Sequence, residues 1–286
     1  MNKRTMLRAA ALAALFLLAV ILVWLCFDGT EESDLAVEIA SPTRAADTPK
    51  PPAKETPAIT PAPQAEETAA PQQGVAPMRI IQLEQATKRF NEHIVLNNIT
   101  VSFKQGLIHG IIGRNGSGKT MLLKVICGFV PLTSGKIFVN NVQLGKGTDV
   151  PSDVGIIIET PGFLPNYSAF QNLKLLAKIK NKVSIDRIQE VMCLVGLDPD
   201  NKKHVSKLSM GMRQRLGIAQ AIMENPSLLI LDEPFNGLDA NGIEDMRNLL
   251  LDQKERGKTI LMASHSSEDI KCLCDNVIRM EQGRIT

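Results

Sequence analysis

The chain has 286 residues, 44% of them hydrophobic, and a formal net charge of +2, so it is long enough for one or two domains with buried cores. So small a charge gives no electrostatic case for a nucleic-acid partner, and five cysteines without regular spacing make no disulfide framework. Composition breaks near residue 78: residues 1–77 hold 17 Ala and 9 Pro at net charge −3, and residues 78–286 hold 7 of each at net charge +5.

The first predicted element is a membrane anchor over residues 1–27. Lys3, Arg4 and Arg8 precede 19 uncharged residues, Ala9 to Phe27. As a helix that run is about 28 Å long, near the hydrocarbon thickness of a bilayer. A cleaved signal peptide is the alternative, but the run ends in Trp24, Leu25, Cys26 and Phe27, which are mostly bulky. Residues 7–27 would contact the membrane, and the flanking charges put the N-terminus in the cytoplasm and the rest across. Residues 28–77, rich in Pro, Ala, Thr and Glu and without periodicity, read as a disordered linker.

From Met78 the pattern is that of a globular domain, residues 78–286. Strand-like alternation leads to a compact apolar run, Leu107 to Ile112, of the buried-strand type. His109 inside it reads as a satisfied core histidine. Next comes GRNGSGKT, residues 113–120, which matches G-x-x-x-x-G-K-[ST]. Gly113, Arg114, Asn115, Gly116, Ser117, Gly118, Lys119 and Thr120 form the predicted nucleotide-binding loop. Its glycines let backbone N–H groups turn toward phosphates, Lys119 reaches the β- and γ-phosphates, and Thr120 offers a hydroxyl to Mg²⁺. A helix follows from Lys119 to Cys127.

In SLLILDEPFNGLD, residues 227–239, a buried strand from Leu228 to Leu231 ends in two acids. Ligands of parallel α/β sheets gather at that edge. Asp232 is placed to hold Mg²⁺ and Glu233 to polarise an attacking water. Two helical patterns, Ser168–Lys180 and Ile185–Val195, lie between the two motifs, with KLSMGMRQRLGIAQAIMENP after them. Ser209 reads as the cap of the helix that follows.

The order and spacing of these motifs over residues 78–286 resemble the nucleotide-binding subunit of an ATP-binding-cassette (ABC) transporter. The resemblance implies an α/β P-loop NTPase with a RecA-like core, an antiparallel β subdomain and a helical subdomain over about residues 160–208. It implies ATP and Mg²⁺ as cofactors, a pairing of two ATPase domains as homodimer or heterodimer, and an integral membrane permease as partner. The helical subdomain and the Glu159 loop would form the groove that receives the permease. Phe90 matches the aromatic that stacks on adenine. LSMGM, residues 208–212, matches the family's LSGGQ, so Ser209, Gly211 and Met212 would cover the nucleotide of the opposite protomer. Asp239 ends the loop that communicates across the dimer, and His265 matches the switch histidine that orients Glu233 and the water.

Two departures stand out. Met121 replaces a second hydroxyl residue after the P-loop, and Glu159, in GIIIETPGF, stands where the family usually has Gln. At that position Glu159 would serve both as a catalytic residue and as a metal ligand beside Thr120 and Asp232. A carboxylate gives the oxygen of an amide without its N–H, and adds charge. This segment and GMRQRLGIA resemble bacitracin and lantibiotic self-protection exporters; the alternative is a generic exporter subunit.

The function implied is ATP binding and hydrolysis that power an exporter of antimicrobial peptides or drugs at the cell membrane, with the ATPase on the cytoplasmic face. The anchor's charges would instead carry the domain outside, so its topology conflicts with this function. The alternatives are a membrane-tethered or non-transport nucleotide switch, or an artificial or misassigned fusion of an envelope anchor to such a subunit.

Overall fold

Apolar and polar residues alternate in RIIQLEQATKRF and HIVLNNITVSFK, which form the antiparallel pair β1 (Arg79–Phe90) and β2 (His93–Lys104). The computed structural model describes residues 79–146, 150–180 and 183–286. The anchor, the linker and Met78 fall outside them. No helix among the described residues is long and apolar enough to cross a membrane.

The chain continues through β3 (Ile108–Ile112), α1 (Lys119–Ile126), β4 (Ser134–Val139), β5 (Val142–Gln143) and β6 (Val154–Ile157). Helices α2 (Ala169–Lys180), α3 (Ile185–Leu194) and α4 (Met210–Met223) follow, with a 3₁₀ turn at Val205–Lys207. The remainder is β7 (Leu228–Asp232), α5 (Ala240–Glu255), β8 (Thr259–Ala263), α6 (Ser267–Leu273), β9 (Asn276–Glu281) and β10 (Arg284–Ile285). Four strands form an antiparallel sheet in the order β2-β1-β4-β5. Six form a second sheet, β10-β9-β3-β8-β7-β6, parallel except for the closing β9–β10 hairpin.

Burial on both faces of the second sheet explains its continuous apolar runs. Along β7, Leu228 and Ile230 point into one core, with α1 and the antiparallel sheet. Leu229 and Leu231 point into the other, with α2, α3 and α4. β8 divides in the same way, with Leu261 on the first side and Ile260 and Met262 on the second. Each such Leu or Ile side chain contributes about 1.5–3 kcal/mol by leaving water. This sandwich fixes the sheet between two packed layers, so the ends of its strands are rigid platforms.

His109 is the satisfied core histidine the sequence suggests. It is buried, its Nε2 lies 2.8 Å from the Lys104 carbonyl, and its ring meets Phe103 edge-on at 5.2 Å. Burial holds its pKa below the ordinary value. Ser209 caps α4 as expected, accepting a hydrogen bond from the Met212 N–H at 3.2 Å. Cys127, Cys193, Cys272 and Cys274 are free thiols, and burial pushes that of Cys127 up to about 12.

Helix α4 crosses β6, the edge strand of the second sheet, at Gly155. A Cβ there would collide with the Ala221 carbonyl oxygen and lie 2.7 Å from Leu229. Gly155→Ala should therefore destabilise the full chain by about 2 kcal/mol or more, because backbone has to move. Urea unfolding checks this, and an unchanged midpoint would refute the close approach.

Candidate active site

β3, β6, β7 and β8 run parallel and end at one edge of the sheet, each just before residues singled out in the sequence. Backbone bonds stitch those ends together. The Glu233 N–H donates to the Ala263 carbonyl at 2.9 Å, and the Ser264 N–H to the Ile111 carbonyl at 3.2 Å.

After β3 the loop 113–118 turns into α1. Gly118, at φ 105, is the residue before the helix, a conformation open to glycine at little cost. A Cβ on Gly113 would strike the Met280 carbonyl and the Ser117 hydroxyl. Arg114 and Asn115 are exposed at the loop's tip, while Ser117 is buried, its hydroxyl without a hydrogen-bond partner. Lys119, 7% exposed, folds back across the loop and donates to the Gly113 carbonyl at 2.8 Å. The open N–H groups and positive dipole end of α1 thus lie beside a lysine ammonium, which is chemistry suited to phosphate. A cleft of about 1650 Å³ follows the other flank of the loop to His265, Arg279 and Arg284.

The Thr120 hydroxyl donates to Asp232 Oδ2 at 2.7 Å and so ties α1 to the end of β7. Burial of Asp232 pushes its carboxyl above the ordinary carboxylate range. The Thr120 bond and Lys119 oppose that shift, and Glu233 and Glu159 reinforce it. The Thr120 and Asp232 oxygens are the hard donors that Mg²⁺ takes, so this pair fits that ion.

Glu233 follows β7 at φ 48, in the left-handed region where a residue with a side chain is strained. Its Oε2 lies 2.8 Å from His265 Nδ1 and accepts from the His265 backbone N–H at 3.4 Å. The strained turn is clamped by Gln214 of α4, whose Nε2 donates to the Glu233 and Pro234 carbonyls at 3.2 and 2.9 Å. The sequence reading missed Gln214. Its signal was an amide at a buried position of α4, four and seven residues before the buried Ile218 and Ala221.

Glu159, two residues after β6 and at φ 58, has a partner the sequence reading did not foresee. Its Oε1 accepts from Lys124 Nζ at 2.6 Å. Phe90 ends β1, 45% exposed, with Lys88 Nζ 4.6 Å from its ring centre. β2 runs on toward the phosphate loop, where the Val95 carbonyl would be 3.2 Å from a Cβ on Gly118.

Ser209, Gly211 and Met212 lie at the start of α4, Ser209 as its cap. There Met210 covers Gly237, and a Cβ on Gly211 would come within 2.8 Å of the Gly237 carbonyl. Asp239 caps α5, accepting from the Gly242 N–H at 3.1 Å. The structure thus brings together Lys119, Thr120, Asp232, Glu233 and His265, and groups Ser209, Gly211 and Met212 with the Asp239 turn.

Residues 96–236 match the protein family described as ABC transporter. An uncharacterized ABC transporter ATP-binding protein of Bacillus subtilis (strain 168), YybJ, is 46% identical over 206 residues, 72% of this chain and 94% of that protein. The bacitracin transport ATP-binding protein BcrA of Bacillus licheniformis is 40% identical over 208 residues, 72% of this chain and 68% of its own length. The lantibiotic transport ATP-binding protein SrtF of Streptococcus pyogenes is 34% identical over 206 residues, 72% and 89% of the two chains. Among solved structures, an ATP-binding subunit of an ABC transporter superposes with a TM-score of 0.66 at 26% identity, covering 72% of this chain and 88% of that one. The dimeric structure of a bacterial ABC transporter cassette gives 0.65 at 24% identity, covering 72% and 96%, and supports the fold.

Because folding raises the pKa of Asp232, the native state keeps its proton more readily than the unfolded chain does. That favours folding at low pH, and the advantage is lost as pH rises through the raised native pKa. Asp232→Asn should therefore melt at a higher temperature than the unsubstituted protein at pH 8 in a metal chelator, with the gap narrowing as pH falls into the carboxylate range. A gap that is absent, or that widens on acidification, would contradict the cost of burying this charge.

Proposed function

Because the chain belongs to the ABC transporter ATP-binding proteins, and is therefore an ATPase subunit of a transporter, we propose that it powers export of an antimicrobial peptide of the bacitracin or lantibiotic class. The catalytic reading is carried by one observation: Glu233 and His265 are hydrogen-bonded at the strand edge where Thr120 meets Asp232. The substrate class draws its support from the named relatives.

The residues divide the work. Phe90 offers a ring face to adenine, and Gly113 to Gly118 surround the phosphates with backbone N–H groups. On binding, Lys119 exchanges the Gly113 carbonyl for phosphate oxygens. Thr120, Asp232 and Glu159 would hold Mg²⁺, which when bound neutralises phosphate charge. Glu233 Oε2 accepts the proton of a water as that water's oxygen attacks the γ-phosphorus. The bond to the β-phosphate oxygen then breaks, and ADP and phosphate leave. His265 fixes the carboxylate through Nδ1 and presents its other ring nitrogen to the γ-phosphate.

Two copies would face one another across the cleft beside Arg114, Asn115 and His265. Ser209, Gly211 and Met212 of each would close over the nucleotide of the other, as befits a capped helix N-terminus. The contact of Gly211 with the Asp239 turn supports a relay between the two sites. A groove of about 430 Å³, lined by Phe129, Ile158, Pro161, Leu176, Ile179 and Gln220, would receive the permease. Phe129 and Ile179 are exposed there, as an apolar docking surface requires. Through that partner the ATPase works at the cytoplasmic face of the membrane.

Glu233→Gln should keep ATP binding and lower phosphate release by about 100-fold or more, whereas Lys119→Ala should lose nucleotide binding itself. Equilibrium binding and a phosphate assay separate the two effects, and normal turnover in Glu233→Gln would remove Glu233 as the base. Cells deprived of the chain should become more sensitive to bacitracin or a lantibiotic, with resistance restored by the native chain and not by Glu233→Gln. Unchanged sensitivity to both would remove the substrate class and leave the ATPase standing.

A further inference from the structure

We infer that Lys124 is a positioning residue that holds and neutralises Glu159, so that the pair offers the nucleotide site a carboxylate oxygen without its net charge. The inference rests on the placement of Glu159 near the metal and phosphates in the proposed function.

Helical spacing supplies the geometry. Thr120 and Lys124 are four residues apart and share one face of α1. Thr120 bonds Asp232 at the end of β7, and Lys124 bonds Glu159 just beyond β6, the neighbouring parallel strand. One helix face therefore meets both strand ends. The Glu159 backbone is left-handed at φ 58, and a 2.6 Å ion pair holds the tip of its side chain.

Charge supplies the reason. Asp232, Glu233 and Glu159 crowd one sheet edge, close enough that the other two help keep the Asp232 carboxyl above its ordinary range. Lys119 is engaged with the phosphate loop, which leaves Lys124 to balance Glu159. The side chains of the pair are 25% and 62% exposed, so little fold stability depends on it. A glutamine would bring an oxygen, an N–H donor and no charge; the Lys124–Glu159 pair brings the same kinds of group at zero net charge. Without Lys124, the carboxylate would repel metal-free nucleotide and attract the metal complex.

The test is the ratio of two dissociation constants for a fluorescent ADP analogue, in chelator and in Mg²⁺, measured on the full chain. Lys124→Met should raise that ratio by about three- to tenfold, and Lys124→Arg should leave it within about twofold. Combined with Glu159→Gln, Lys124→Met should shift the ratio by less than about twofold from Glu159→Gln alone. An unchanged ratio in Lys124→Met would overturn the inference. So would an equal shift in both backgrounds, since Lys124 would then act on phosphate directly. A native chain whose nucleotide affinity ignores Mg²⁺ would instead overturn the metal reading beneath it, and that failure shows before any substitution is made.

Discussion

The hydrogen bond from Thr120 to Asp232 joins the helix after β3 to the end of β7, and the rest of the site is arranged around it. It depends on a constraint of the sheet. Parallel strands send their carboxyl ends to one side, so whatever follows β3, β6, β7 and β8 must gather along one edge. Two packed cores, one on each face, hold that edge still. The glycine loop, the acids and the histidine are thereby held in place by bonds between these strand ends and the helix after β3.

Such an edge carries costs in charge and in backbone conformation. Three carboxylates stand close together, with lysines on α1 beside them. Two of the acids, Glu159 and Glu233, occupy left-handed backbone that suits glycine better. Each is restrained from outside its own strand, Glu159 by Lys124 and Glu233 by Gln214 and His265. Strain of this kind lasts only where neighbours fix it, and here the neighbours come from a helix of each core layer.

The glycine loop, the buried strands β3 and β7 and the helices α2 and α3 were legible in the sequence within a residue or two. Their signals are local: a glycine pattern, an apolar run, a helical period. Ser209 and His109 were read from their immediate context and behave accordingly. Gln214 was passed over because its partners are the carbonyls of a turn that only the fold brings near. Lys124 carries no local signal either, because nothing within α1 points to a carboxylate 35 residues away. The anchor and linker read from residues 1–77 fall outside the described residues.

By itself, the sequence determined the loop 113–120 and its chemistry suited to phosphate, because it is eight consecutive residues whose turn is set by their own glycines. It also determined the buried strands that carry the acids, because a strand covered on both faces must be apolar throughout. The tertiary structure decided how those acids are tuned. Thr120 meets Asp232 across 112 residues, His265 meets Glu233 across 32, and Lys124 meets Glu159 across 35. Such pairings follow from strand order and helix placement, which are settled by the packing of whole layers and leave no local trace in the residues that use them.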